Sequence, residues 1–233
     1  IGRGWGQGAQ HSQSLESWFA HIPGLKVVMP SNSHDAKGLL ISSVEDNNPV
    51  IFIEHRWLHH TIDNVPLEAY RVPIGKARLA REGNNLTIVA HSYMVLEAIK
   101  CADLLKAEGV SIEVLDLRTI RPLDTDAILN SVAKTGRLLV ADNGWVNFGV
   151  SAEIISIVTE SLFEKLLSAP ERIGMNNSPS PSSRALANNF YPRSIDIAKI
   201  VCKILKININ LEAVFPKSNL PKDIPDPAFN GPF

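Results

Sequence analysis

Gly8-Ala9-Gln10-His11-Ser12-Gln13 places a histidine at a glycine-rich loop that leads into a helical pattern. Imidazole titrates near neutrality, so a loop-borne His11 is a candidate acid/base group. Spacing alone also fits a helix-capping or surface histidine. Gly2, Gly4, Gly6 and Gly8 could approach a phosphate, but no complete strand precedes them, and a flexible surface loop is the better reading. His91-Ser92-Tyr93 follows the apolar run Leu86–Ala90 without a glycine, so the dinucleotide fingerprint is missing. No Gly-x-Ser-x-Gly elbow occurs. His55, His59 and His60 could be drawn as zinc ligands, yet they sit at a strand exit without the HExxH arrangement, and a polar loop is the better reading.

Apolar patterning supplies the scaffold for these residues. Ser14–His21 reads as a helix ended by Pro23-Gly24, Leu25–Met29 as a buried strand, and Val50–Glu54 as a second. Between them Ser33 is read as an N-cap, with Asp35 in the first turn and Ala36, Leu39, Leu40 and Val44 at helical spacing. Asp46-Asn47-Asn48-Pro49 is a turn. A linker runs from about His59 to Pro73. Ile74–Ala80 and Leu86–Ala90 are read as a hairpin around Glu82–Asn85. Helix, strand, helix, strand and helix then follow at about 95–105, 111–117, 122–132, 137–142 and 150–162. Strands that are apolar throughout are buried on both faces, as in parallel sheets with right-handed crossovers. The fold class is therefore α/β. We expect three regions: 1–72, 73–205, and a proline-rich tail 206–233 without regular structure, extended along another surface.

The chain has 233 residues, 23 Lys+Arg against 24 Asp+Glu, and a formal charge of -1. With 45% hydrophobic and 20% charged residues it has the composition of a folded globular protein. Near-neutral charge gives no electrostatic reason to expect nucleic acid or a membrane surface as partner. No apolar run reaches the roughly 20 residues that span a bilayer. No signal peptide is read at the start, which is Ile rather than Met, and we expect a fragment or processed product. Cys101 and Cys202 lie far apart in expected helices, which suits a reducing compartment: cytoplasm, or mitochondrial matrix in a eukaryote.

Several segments carry a resemblance. Gly8–Gln13, Pro23–Val28, Pro30–Leu40, Asp46–Val50 and the ending from Asp223 to Phe233 resemble the β subunit of the thiamine-diphosphate-dependent 2-oxo acid dehydrogenase E1 component. Val114-Leu115-Asp116-Leu117-Arg118-Thr119-Ile120-Arg121-Pro122-Leu123-Asp124 resembles the signature of the transketolase C-terminal domain. The resemblance implies the back half of a pyrimidine-binding domain followed by a transketolase C-terminal-type, mostly parallel sheet flanked by helices. It implies thiamine diphosphate as cofactor, with Mg²⁺ held mainly by an E1 α subunit, and acyl transfer to a lipoyl-bearing E2. It further implies a homodimer contact through the C-terminal domain within a heterotetramer. His11 matches the family histidine that handles protons near the reactive carbon. The main thiamine contacts of the family, a glutamate among them, belong to a front half that this chain does not match, so we expect the isolated chain to be inactive. Ser43, Val44, Asp46 and Asn48 match a monovalent cation site, such as K⁺, although Asp46 and Asn48 can build an Asx turn without any ion. His55–His60 departs from the family's Glu-x-x-x-Tyr pattern, which leaves the 2-oxo acid open. The alternatives are a split transketolase or deoxyxylulose-phosphate-synthase-like half, and a non-catalytic dimerisation or assembly subunit.

Overall fold

The computed structural model describes residues 1–2, 7–216, 223–225 and 229. Gly4 and Gly6 of the glycine-rich entry, and residues 217–222, 226–228 and 230–233 of the tail, lie outside the described residues.

The first region begins with two short helices, α1 (Gly8–His11) and α2 (Glu16–His21). Strand β1 (Lys26–Val28), helix α3 (Ser33–Val44) and strand β2 (Val50–Phe52) follow, and β1 and β2 pair in parallel. The cap of α3 is Asn32 rather than Ser33. Asn32 is extended, and its side chain accepts the Asp35 N–H at 2.8 Å. The Ser33 hydroxyl, one residue into the helix, faces the Thr61 carbonyl instead.

The second region contains β3 (Arg78–Arg81), β4 (Leu86–Ala90), α4 (Tyr93–Lys106), β5 (Ile112–Asp116) and β6 (Thr119–Arg121). It continues through α5 (Thr125–Thr135), β7 (Leu138–Trp145), α6 (Val150–Leu162), β8 (Glu171–Met175), α7 (Arg184–Ala187), α8 (Ser194–Leu205) and α9 (Leu211–Val214). The main sheet has the order β3-β5-β4-β7-β8 and is parallel except at β3. The expected hairpin does not form, because β5 lies between β3 and β4. The five residues of β4 are all buried and take parallel neighbours on both sides, whereas half-exposed β3 suits an edge. The chain passes from one to the other over the start of β5. A Cβ on Gly83 would lie 2.1 Å from the Ile112 carbonyl carbon, so only glycine fits that crossing. The Asn84 and Asn85 N–H groups both donate to the Ser111 carbonyl and fix the turn there.

Alternate residues of the sheet feed opposite layers. Leu86, Ile88 and Ala90 pack under α4 and α8, while Val89, Leu138 and Val140 pack against α5 and α6. Burial on both faces accounts for the unbroken apolar runs read from the sequence. Strand β6 leaves this domain to pair antiparallel with β1, giving a small sheet of order β2-β1-β6 that ties the two regions together. The tail holds one more helical turn than expected, α9, whose following residue Phe215 is buried in the α4/α8 layer. Farther on, the Arg193 guanidinium donates to the carbonyls of Ile224 at 2.8 Å and Pro225 at 3.0 Å, so the tail is strapped to the domain.

Candidate functional site

His11 is the last residue of α1 rather than a free loop residue, and it is exposed. Its carbonyl accepts Arg56 Nη1 at 2.8 Å, and the same nitrogen donates to Gln7 Oε1. Gly8, at φ +60°, starts the turn in the left-handed region, where a Cβ would also meet the Ser182 hydroxyl at 2.4 Å. Ser180 Oγ donates to the Ser12 carbonyl at 3.3 Å. The backbone under His11 is therefore held from two sides while the ring faces solvent.

Five residues on, the first turn of α2 brings Glu16 into a buried polar knot at the carboxyl ends of β4 and β7. Ligand sites in open α/β sheets gather at such strand ends. His91 follows β4 directly, and its Nε2 lies 3.2 Å from Asp142 Oδ1 on β7. The Asn143 amide nitrogen donates to the His91 carbonyl at 2.5 Å and faces His91 Nδ1 at 3.1 Å. That arrangement makes Nδ1 the acceptor and leaves the ring proton on Nε2, directed at Asp142. Asp142 also accepts the N–H groups of Gly144 and Ser151, each at 2.9 Å.

Burial opposes the charge on Asp142, but His91 and these two amides outweigh it and hold the carboxyl below its ordinary value. Glu16 differs. Among the described residues no other residue donates to its oxygens, its own backbone N–H alone favours the charged form through a hydrogen bond, and it is 1% exposed. Burial pushes its carboxyl up, His91 opposes that and Asp142 adds to it, for a value of about 7. On His91 burial opposes the charge and Asp142 favours it, with the balance above the ordinary imidazole value. The donor facing Nδ1 works against a second ring proton, so Nε2 keeps its proton in either state.

The remaining candidates do not converge on one centre. His55 is buried, accepts the Trp57 N–H at 3.2 Å and stacks on Tyr93. Burial, then the nearby amino terminus, holds it well below the ordinary imidazole value. His59 lies 3.9 Å from Glu54, and His60 packs edge-on to Phe229. Among the described residues the trio Glu16, His91 and Asp142, with one ligand atom from each within 4.8 Å of the others, is the one group of metal-ligating types drawn together. At the end of α3, Ser43 Oγ bonds back to the Leu39 carbonyl and Val44 is exposed. Asp46 Oδ2 accepts Lys26 Nζ at 2.5 Å, and Oδ1 accepts Asn48 N and Nδ2 at 2.9 and 3.1 Å. The Lys26 ammonium, then Asn48, hold the Asp46 carboxyl at about 2. These bonds build the Asx turn and already bring a positive charge to Asp46.

Trp18 on α2 and Phe148 before α6 are 71% and 97% exposed. They stand at a groove of about 1110 Å³ between the two helices, lined also by Ile22, Pro122 and Ile157. Sequence reading missed the Glu16 knot. The available signal was a histidine set immediately after a mostly apolar strand, Leu86–Ala90.

Residues 75–197 match the family described as "Transketolase, C-terminal domain", and residues 1–60 match "Transketolase, pyrimidine binding domain". The chain is 43% identical over 207 residues to the mouse pyruvate dehydrogenase E1 component subunit beta, covering 87% of this chain and 58% of that protein. It is 42% identical over 197 residues to the pyruvate dehydrogenase E1 subunit beta of Acholeplasma laidlawii, covering 84% and 60%. Against the acetoin:2,6-dichlorophenolindophenol oxidoreductase subunit beta of Cupriavidus necator it is 41% identical over 206 residues, covering 88% and 61%. The chain thus spans about three fifths of the length of these relatives. A solved split-gene transketolase, described as an inactive beta4 tetramer, shares the fold with a TM-score of 0.71 at 22% identity, covering 85% of this chain and 63% of its own. With the C-terminal match spanning more than half of the chain and the pyrimidine-binding match preceding it, this protein belongs to the transketolase C-terminal domain family.

Proposed function

We propose that this chain is part of an E1 β-like subunit that works with an E1 α-like partner in thiamine-diphosphate-dependent decarboxylation of a 2-oxo acid and acyl transfer to a lipoyl group. The observation that carries this reading is identity of 41–43% to β subunits across both regions of the chain. His11 is compatible with it, since the fold holds the backbone of that turn and leaves the ring exposed.

The described residues do not fit the cofactor by themselves. A diphosphate needs clustered cations, amide donors or Mg²⁺. The guanidinium beside His11 is bonded to Gln7 and to a backbone carbonyl, and the nearby buried trio offers two carboxylates to an anion. In this reading the rest of its site, including Mg²⁺, comes from the α-like partner and from β-subunit sequence that this chain does not match, and the lipoyl domain of an E2 receives the acyl group. A β–β contact through the C-terminal domain would complete a heterotetramer.

Calorimetry of the chain with thiamine diphosphate and Mg²⁺ is expected to show no tight binding. A submicromolar Kd for the isolated chain would overturn this division of labour. Reconstitution of the full-length subunit with its α partner, screened against 2-oxo acids and acetoin with a dye acceptor, is expected to give turnover with a 2-oxo acid. Turnover with acetoin alone would move the substrate class to 2-hydroxy ketones.

A further inference from the structure

Glu16 has a buried position, a carboxylate neighbour and, among the described residues, no donor to its carboxylate from any other residue, and the proposed chemistry does not use it. A divalent metal bridging Glu16, His91 and Asp142 is the obvious reading, and the imidazole argues against it. His91 Nε2 carries its proton because Nδ1 faces the Asn143 amide nitrogen, whose direction is set by the His91 carbonyl. A metal there would meet an N–H rather than a lone pair, and a ligating histidine normally donates its other ring N–H outward. Turning the Asn143 amide would set its oxygen against the His91 carbonyl.

We infer that Glu16 is a proton-operated latch: neutral, it seats α2 and the His11 turn against the ends of β4 and β7, and ionised, it releases them. The groups that face it are His91 at the exit of β4, Asp142 on β7 and the amino group of Ile1, which itself lies near Arg56 and Glu54. Among the described residues, no lysine or arginine pairs with Glu16. Asp142 is the better-solvated acid of the two, with three donors on its oxygens, so it stays ionised and the proton resides on Glu16. A neutral carboxyl tolerates burial far better than a carboxylate that has only its own backbone N–H to face and is set beside a second carboxylate. Opening returns both Glu16 oxygens to water. Ser14 Oγ, which donates to the Asn143 carbonyl at 3.1 Å, is the second tie between this segment and β7 and would part with it. Trp18, two residues beyond Glu16, stands at the groove between α2 and α6, so release reshapes that groove as well as the His11 turn.

Hydrogen exchange of the amides of residues 12–21 tests the latch on the chain as it stands, with rates corrected for intrinsic pH dependence. A carboxyl that titrates near 4.5 when free and at about 7 when seated loses its hold as pH rises between those values. Protection is expected to fall about tenfold per pH unit from about pH 5 to 7 and to level off above, roughly a hundredfold in all. In Glu16→Gln the same amides are expected to stay protected at pH 8, with no slope. A flat profile in the wild-type chain, or an unchanged slope in Glu16→Gln, would overturn the inference. The second result would assign the slope to His91 or the Ile1 amine. If Glu16→Gln lacks a native circular dichroism spectrum at pH 5.5, Glu16→Met fills the same space without a titrating group. It must show the same flat profile, and a persisting slope would again overturn the latch.

Discussion

Replacing Asp35 by Asn should be among the most damaging single changes away from the hydrophobic core. Asp35 lies in the first turn of α3, is 1% exposed, and meets side chains from both regions of the chain. Arg118 grips it with two nitrogens at 2.9 Å each, Arg78 Nε lies at 3.3 Å, and Asn32 Nδ2 donates at 2.7 Å. Arg78 also reaches Asp116, fully buried on β5, at 3.0 Å. Two arginines and two aspartates thus balance at the junction of α3 with β3 and β5. Asparagine keeps the shape, yet it removes one anion and turns an amide donor toward a guanidinium. Breaking one partner of a buried ion pair typically costs about 3–5 kcal/mol. For a chain of this length each kcal/mol moves Tm by about 2–4 °C, so the expected loss is about 6–20 °C.

The pH dependence of this variant follows from the same contacts. Burial raises the Asp35 carboxyl, but Asn32 and Arg118 outweigh it and leave it below the ordinary value. A depressed carboxylate contributes stability that is present above its unfolded value, about 3.9, and lost as pH falls through the lower folded value. The gap between wild type and Asp35→Asn, measured by urea unfolding, should therefore be full at pH 7 and close as pH falls below about 4. An Asp35→Ala/Arg118→Ala double-mutant cycle should return a coupling of about 1–3 kcal/mol. A neutral-pH loss under 1 kcal/mol, or a gap that persists unchanged at pH 3, would refute the reasoning.

Two further outcomes bear on the candidate site residues. If Ser43, Val44, Asp46 and Asn48 bind a monovalent cation, melting at fixed ionic strength will differ between K⁺ and a bulky organic cation, and Asp46→Ala will erase the difference. Identical curves would leave the Lys26–Asp46–Asn48 turn as the whole role of this loop. In the reconstituted full-length assembly, His11→Ala should slow acyl transfer by about 10²–10⁴-fold with little effect on cofactor affinity, and His11→Gln should match it if proton transfer dominates. A kcat within about threefold of wild type for His11→Ala would reduce His11 to a loop-packing residue.

Much of this protein was legible one segment at a time. The helix over Val150–Leu162, the buried strands at Lys26–Val28 and Ile112–Asp116, and the turn at Asp46–Asn48 came from local periodicity and turn chemistry, which act over a few residues. The α/β class and the resemblance to transketolase-type domains followed from the order of those segments and from short motifs. Strand order was a different matter. Ile74–Ala80 and Leu86–Ala90 have the spacing of a hairpin, and the insertion of β5 between β3 and β4 depends on how fully each strand is buried, a property of the assembled sheet. The pairing of β6 with β1, nearly a hundred residues away, has no local signature either. Glu16, His91 and Asp142 look unremarkable where they stand in the chain: a glutamate in a short helix, a histidine after a strand, an aspartate within one. Only the packing of α2 over the ends of β4 and β7 removes them from water and sets them together. Desolvation and proximity are what change their chemistry, and both come from tertiary structure.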